Sequence, residues 1–306
     1  MRGNGSRQGR KPGRDNGGGK RPFSAHSAAA KANTPQSPRQ DADGDRVRAK
    51  KHLGQHFLTD RNIAYKITEA LHGGSAQAPV TVLEIGPGTG VLTGYLLERG
   101  DITLYGAEID TESVAYLHAH YPAFAPRLLE GDFLAMDIRE LFPDGAAIIG
   151  NFPYNISSQI FFKILEIRNL VPEVVCMLQR EVAVRIAEPP GSREYGIMSV
   201  LLQAWYDIEY LFTVHENVFD PPPKVKSAVI RLTRNATQKL GCDEKLFVKV
   251  VKASFGQRRK MLRNSLKAVF GDFGGREHHF FSMRAEQLGV GDFVALTQWV
   301  DENMAK

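Results

Sequence analysis

Apolar residues recur along this chain with two periods, and the switches between them mark its elements. Between Asp60 and His72, the residues Ile63, Ile67, Ala70 and Leu71 fall on one helical face, with Asp60 as N-cap and Gly73-Gly74 as the stop. Val80–Ile85 is a short apolar run that ends in Gly86-Pro87-Gly88-Thr89-Gly90, and helical spacing resumes over Val91–Arg99. The alternation then repeats. Strands are predicted at Thr103–Ile109, Leu128–Glu130, Ala146–Gly150 and Val174–Gln179. Helices are predicted from Thr111, as cap, to His120, and over Ser157–Ile167, Arg180–Ala187 and Ile197–Trp205. Asp207–Val214 and Ser227–Thr233 predict two more strands, joined by a proline-rich loop.

Strands that alternate with helices specify an α/β, doubly wound, mostly parallel sheet with helices on both faces. The last two strands have no crossover helix between them, so they are expected to pair antiparallel at one edge. From Ala236 the pattern is wholly helical, with candidates at Asp243–Ser254, Gln257–Phe270 and Asp292–Glu302. The expected organisation is therefore a tail over 1–48, a catalytic domain over 49–235 and a small all-helical domain over 236–306.

Composition refines this picture. The 306 residues are 42% hydrophobic, enough for one substantial core and a second, smaller one. Residues 1–51 hold 13 Lys and Arg against 4 Asp and Glu, a surplus of nine. The net charge is +5, so the remaining residues carry −4, and the basic character belongs to the tail and to local clusters. The tail is rich in Gly, Arg, Ser and Pro and poor in large apolar groups, so it is expected to be disordered, as a solubilising segment or an arm that gathers polyanions. No apolar core follows its charges, which argues against a secretory signal. No run approaches the roughly 18 apolar residues of a membrane span. Cys176 and Cys242 make no disulfide framework, and no Cys/His set has zinc spacing, so a reducing cytoplasmic setting and no metal are expected.

Ligands of doubly wound sheets bind beyond the carboxyl ends of strands, and three signals fall there. Glu84-Ile85-Gly86-Pro87-Gly88-Thr89-Gly90 follows the first strand, and its glycines permit close backbone approach and a sharp turn into a helix. Glu108 ends the second strand, where a carboxylate can accept both hydroxyls of a ribose. Asp132 follows the third, where it can accept from an adenine amine. The spacing G-x-G-x-G lacks the pyrophosphate clamp of dinucleotide folds, so the three describe an adenosyl site.

Asn151-Phe152-Pro153-Tyr154 follows the fourth strand on the same sheet edge. An amine conjugated to a ring is a poor nucleophile. The Asn151 side-chain carbonyl and the Pro153 main-chain carbonyl can accept its two hydrogens, localise its lone pair and stabilise the charge that develops on methyl transfer. Tyr154 offers a stacking face for a flipped-out base. The tetrapeptide alone leaves the acceptor open between RNA adenine, DNA adenine and protein glutamine. Residues 249–267 add Lys249, Lys252, Arg258, Arg259, Lys260, Arg263 and Lys267 without an acid, a pattern suited to phosphate contact.

From Lys50 to the C-terminus the chain resembles the ribosomal RNA adenine dimethyltransferase family. Lys51-His52-Leu53-Gly54-Gln55-His56-Phe57-Leu58 is similar to its opening motif, usually Gly-Gln-Asn-Phe-Leu, with His56 in place of Asn. Val218–Ser227, Gln179–Ala183, Glu194-Tyr195-Gly196 and Ser254–Asn264 resemble further family blocks, and Phe152 stands where Leu or Ile is usual. The resemblance implies a Rossmann-like S-adenosylmethionine-dependent methyltransferase sheet. It implies cofactor contacts at His56, Leu58, Gly86, Glu108, Asp132 and Asn151. It implies that Phe219 sandwiches the target base against Tyr154, and that Arg258, Arg259, Lys260 and Arg263 bind RNA. The implied reaction is dimethylation of two adjacent adenines near the 3′ end of 16S rRNA, within a small-subunit assembly intermediate, by a cytoplasmic monomer with a part in subunit biogenesis. Two alternatives share these motifs: methylation of large-subunit rRNA, and a mainly non-catalytic assembly role on the same fold.

Overall fold

A computed structural model describes residues 47–304. The expected disordered tail lies outside the described residues up to residue 46. Seven strands form one sheet: β1 (Val80–Ile85), β2 (Ile102–Glu108), β3 (Leu128–Glu130), β4 (Ala147–Asn151), β5 (Glu173–Gln179), β6 (Tyr206–Val214) and β7 (Ser227–Arg234). Their order is β3-β2-β1-β4-β5-β7-β6. The first five strands pair in parallel. β7 is antiparallel to β5 on one side and to β6 on the other, so the expected antiparallel pair forms that edge.

Strand alternation divides the core in two. Val82, Leu104, Ile149, Val175 and Met177 belong to one buried cluster. Helices α1 (Arg61–Glu69), α2 (Val91–Leu97) and α3 (Thr111–His120) contribute Ile67, Leu96 and Leu117 to it. Leu83, Ile148, Val174, Cys176 and Ile230 belong to the other. Into that second cluster α4 (Ile138–Leu141), α5 (Ser157–Glu166), α6 (Arg180–Ala187) and α7 (Ile197–Gln203) insert Ile138, Phe161, Ile186 and Leu201. The C-terminal helices α8 (Glu244–Gly256), α9 (Leu262–Phe270) and α10 (Val290–Asn303) extend it with Phe247, Leu266 and Phe293. Trp205 meets Phe247 edge to face at 6.1 Å, which ties the C-terminal helices to the end of α7.

Two local readings change. The cap of α3 is Asp110, whose carboxylate accepts from the Glu112 N–H; Thr111 is already inside the helix. The helix expected over Gln257–Phe270 begins at Leu262. Gln257-Arg258-Arg259-Lys260 has no apolar position to bury, so it forms a loop closed by Lys260 N–H on the Gln257 carbonyl at 2.7 Å. A short ribbon not expected from the pattern pairs Phe57–Leu58 antiparallel with Phe219–Asp220.

Candidate active site

The carboxyl ends of β1, β2 and β4 open into a cleft of about 190 Å³. Gly86, Glu108, Asp132, Asn151, Pro153, Tyr154 and His56 all line it, so seven of the predicted residues meet in one place. Gly86 has φ +66 and a Cβ there would meet nothing within 4 Å, so the bare backbone faces open space. At Gly88, with φ +58, a Cβ would stand 3.0 Å from the ring of Phe57, so the aromatic packs directly on the turn.

Glu108 is buried at 4% exposure. One of its oxygens accepts from Gly88 N–H and the other from Asp110 N–H, both at 2.9 Å. Burial pushes its carboxyl above the usual range, against the lowering effect of those backbone bonds. The carboxylate is thus fixed in orientation, with a further lone pair on each oxygen. Asp132 is exposed, and its Oδ1 accepts from Leu134 N–H at 2.9 Å. The loop beyond it is held from below. Lys163 Nζ donates to the Leu134 carbonyl at 2.9 Å and the Met136 carbonyl at 2.5 Å, and stands 5.1 Å from the Phe133 ring centroid.

Asn151 is the last residue of β4. Its Nδ2 donates to the main-chain carbonyl of His56 at 2.9 Å, which orients the amide. The Pro153 carbonyl accepts from Ile156 N–H at 3.2 Å and keeps a second lone pair. The Tyr154 hydroxyl shares a 2.5 Å hydrogen bond with Ser227 Oγ, and burial raises its phenol above the ordinary value. The His56 ring stacks on Tyr154 with centroids 5.4 Å apart and planes at 27°, and its Nδ1 lies 2.7 Å from the Pro221 carbonyl.

His56 belongs to a strap, residues 50–58, laid across the cleft. Asp110 anchors it through Lys50 Nζ and Gln55 Nε2. Burial alone would raise the Asp110 carboxyl, but these bonds and one from Ser113 hold it below the ordinary value. Leu58 and Phe219 are not among the residues that line the cleft. They face each other in the ribbon, each 4% exposed, within the cluster on the α1–α3 face of the sheet. Phe57, one residue from Leu58, takes the cleft side instead. Gln55, Ile109 and Phe133 also line the cleft without having been singled out, and only the alternation next to Leu58 would have pointed to Phe57.

The basic run lies away from the cleft and is less free than its sequence implies. Arg258 donates to the carbonyls of Ser192 and Arg193. Arg263 pairs with Glu277, and its guanidinium lies 5.7 Å from the Phe281 ring centroid. Arg259 shares a hollow with Arg193 and Arg284. Among the described residues, no group of His, Cys, Asp and Glu is placed to hold a metal ion, and no helix is long and apolar enough to cross a membrane.

The family model for ribosomal RNA adenine dimethylase matches residues 46–301. The ribosomal RNA small subunit methyltransferase A of Porphyromonas gingivalis is 56% identical over 256 residues, 82% of this chain and 97% of that protein. That of Bacteroides thetaiotaomicron is 54% identical over 259 residues, 84% of this chain and 95% of that protein. Among solved structures, a dimethyladenosine transferase from Plasmodium falciparum superposes with a TM-score of 0.67 at 24% identity, covering 81% of this chain and 98% of that one. The 23S rRNA methyltransferase ErmE gives 0.56 at 24% identity, covering 80% and 99%. These two share the fold.

Proposed function

The chain belongs to the ribosomal RNA adenine dimethylase family, and from that premise we propose that it dimethylates the exocyclic amines of two adjacent adenines near the 3′ end of 16S rRNA in the small ribosomal subunit. The observation that carries the reading is a single cleft walled both by Gly86, Glu108 and Asp132 and by Asn151, Pro153 and Tyr154.

The residues fit an adenosyl ligand. Gly86 offers bare backbone beside open space, Glu108 holds an oriented carboxylate for ribose hydroxyls, and Asp132 places an acceptor on the third strand's exit. His56 and Asn151 complete the wall. S-adenosylmethionine supplies the methyl group when bound there. The chain's own part is to prepare the amine. The Nδ2 bond to His56 leaves Asn151 Oδ1 as an acceptor, and the Pro153 carbonyl has a lone pair to spare. Together they accept the two amine hydrogens, favour a pyramidal nitrogen and stabilise its positive charge as the bond forms. The Tyr154 ring, held by Ser227, carries the face of the flipped base. After the transfer the amine proton needs no strong base, because an N-methylated aromatic ammonium is acidic.

Residues 236–306 form the RNA-binding part in this reading. Arg258, Arg259, Lys260 and Arg263 contact phosphates, which position RNA without reading its sequence. The partner is a small-subunit assembly intermediate, met by a monomer in the cytoplasm. Undermethylated small subunits incubated with radiolabelled S-adenosylmethionine, then digested to nucleosides, test the proposal. Labelled dimethyladenosine from 16S rRNA is the expected product. Its absence with a folded, cofactor-bound protein, or label in large-subunit rRNA alone, would overturn it.

A further inference from the structure

We propose that Asp110 and Lys50 are positioning residues that latch the strap over the cleft, and that opening of this latch sets the rate at which spent cofactor leaves between the two methyl transfers. The inference rests on the reading of the cleft as the adenosyl site. An amine that gains two methyls takes each from a fresh donor, so S-adenosylhomocysteine must leave between the transfers. The floor of the cleft is the sheet edge, where Gly86, Glu108 and Asn151 stand on or just beyond strand ends. The wall formed by Leu53, Gly54, Gln55, His56 and Phe57 is the strap. None of residues 50–57 is buried, and the core begins at Leu58. A segment without buried apolar side chains is held by its hydrogen bonds and opens at low cost. The strap therefore swings from Leu58 when those bonds let go.

One carboxylate holds the strap's far end. Asp110 is 2% exposed; its Oδ1 accepts from Lys50 Nζ, and its Oδ2 accepts from Gln55 Nε2 at 3.2 Å and Ser113 Oγ at 3.0 Å. Lys50 Nζ also lies 3.2 Å from Glu112 Oε1. Within the strap, Lys50 N–H donates to Gln55 Oε1 at 2.7 Å, so the two residues that meet Asp110 are first clipped to each other. The main-chain N–H of Asp110 donates to Glu108 at 2.9 Å. Asp110 thus holds the proposed ribose carboxylate through its main chain and the strap through its side chain. Neither Lys50 nor Asp110 lines the cleft, so a side-chain change at either reaches a bound ligand through the strap.

The test compares the full-length wild type with Lys50→Met, Lys50→Arg and Asp110→Asn. Asparagine still caps α3 and leaves the main-chain bond to Glu108 in place. Stopped-flow displacement measures the dissociation rate of S-adenosylhomocysteine, and hydrogen exchange follows residues 50–57. The Leu53 and Gly54 N–H groups bond to the Lys50 and Lys51 carbonyls at 3.0 and 3.1 Å, a single turn that does not persist in an unlatched segment. Lys50→Met should release the ligand about tenfold faster, the equivalent of one charge-assisted hydrogen bond, with faster exchange in the strap. Asp110→Asn should do at least as much, and Lys50→Arg should stay near wild type. On undermethylated subunits the KM for S-adenosylmethionine should rise while kcat does not fall. A wild-type release rate in Lys50→Met, equal effects of Met and Arg, unchanged strap exchange, or a fall in kcat alone would overturn the latch. A wild-type protein that fails to bind S-adenosylhomocysteine would instead overturn the adenosyl reading beneath it.

Discussion

The side-chain amide of Asn151 donates to the main-chain carbonyl of His56 across 2.9 Å, joining residues 95 positions apart in the chain. One hydrogen bond therefore couples the strap over the cleft to the group that, in the proposed mechanism, prepares the amine. Because Nδ2 is taken up by a carbonyl, Oδ1 is left as the acceptor, which is the orientation the proposed mechanism requires.

Asn151→Ala should remove that acceptor and leave the strand intact, since Asn151 ends β4 and its backbone pairing with Met177 needs no side chain. The expected loss in kcat is about 10²–10³-fold, the usual cost of one group aimed at developing charge. Asn151→Asp should do no better, because its carboxylate meets the His56 carbonyl acceptor to acceptor. Label transfer to undermethylated subunits, with thermal unfolding as the control for folding, reads both.

Glu108 makes a different demand. Its oxygens each accept a backbone N–H, from Gly88 and Asp110. Glu108→Gln keeps the size but must turn an NH₂ group toward one of those donors. One buried N–H then loses its acceptor, at a cost of about 1–3 kcal/mol. Lower stability in urea should accompany weaker S-adenosylhomocysteine binding by calorimetry. A Gln variant equal to wild type in both would show that neither bond matters.

The frame of this site was legible in the chain. β1 has the predicted bounds, and the Gly86, Glu108, Asp132 and Asn151 positions converge because a parallel sheet brings all its strand exits to one edge. What was not legible depends on contacts between distant segments. A two-residue strand such as Phe57–Leu58 has too short a pattern to show which side faces the cleft, so Leu58 was expected where Phe57 stands. Phe219 lies on the same short ribbon, paired with Leu58, and its side chain is buried there at 4% exposure. The acid-free stretch 249–267 gains its opposing charge from Glu277, which no local window contains.

Lys163 was equally hidden, one basic residue on an amphipathic helix. Its two bonds to the Leu134 and Met136 carbonyls hold the loop that begins at Asp132. Lys163→Met should loosen that loop and lower affinity for S-adenosylhomocysteine by roughly tenfold, the equivalent of one or two net hydrogen bonds. Lys163→Arg, which retains donors, should recover part of it. Preference over the inosine analogue of the same ligand should shrink in Lys163→Met if, as proposed, Asp132 on that loop accepts from the adenine amine. A general loss of folding would weaken both ligands alike and leave that preference intact.

Glu84 gives the chain a pH dependence of known sign. It is 1% exposed beneath the glycine turn, where burial pushes its carboxyl up to about 8, although Thr93 Oγ1 donates to it at 2.7 Å and lowers it in part. Glu108 nearby adds to the rise. In the unfolded chain the same group titrates near 4.5. Between these values the folded protein binds the proton and the unfolded chain does not, so stability is greatest below the lower value. The contribution of this group falls as pH rises through the window and is fully lost above the upper value, while the rest of the fold's stability is untouched. Glu84→Gln keeps an acceptor for Thr93 and has nothing to ionise. Relative to wild type, it should gain stability steadily from pH 5 to pH 8.5, by an amount on the order of a few kcal/mol in total. Urea unfolding of both proteins across that range measures the difference. A gap that stays constant with pH would mean that Glu84 keeps an ordinary carboxylate pKa in the fold.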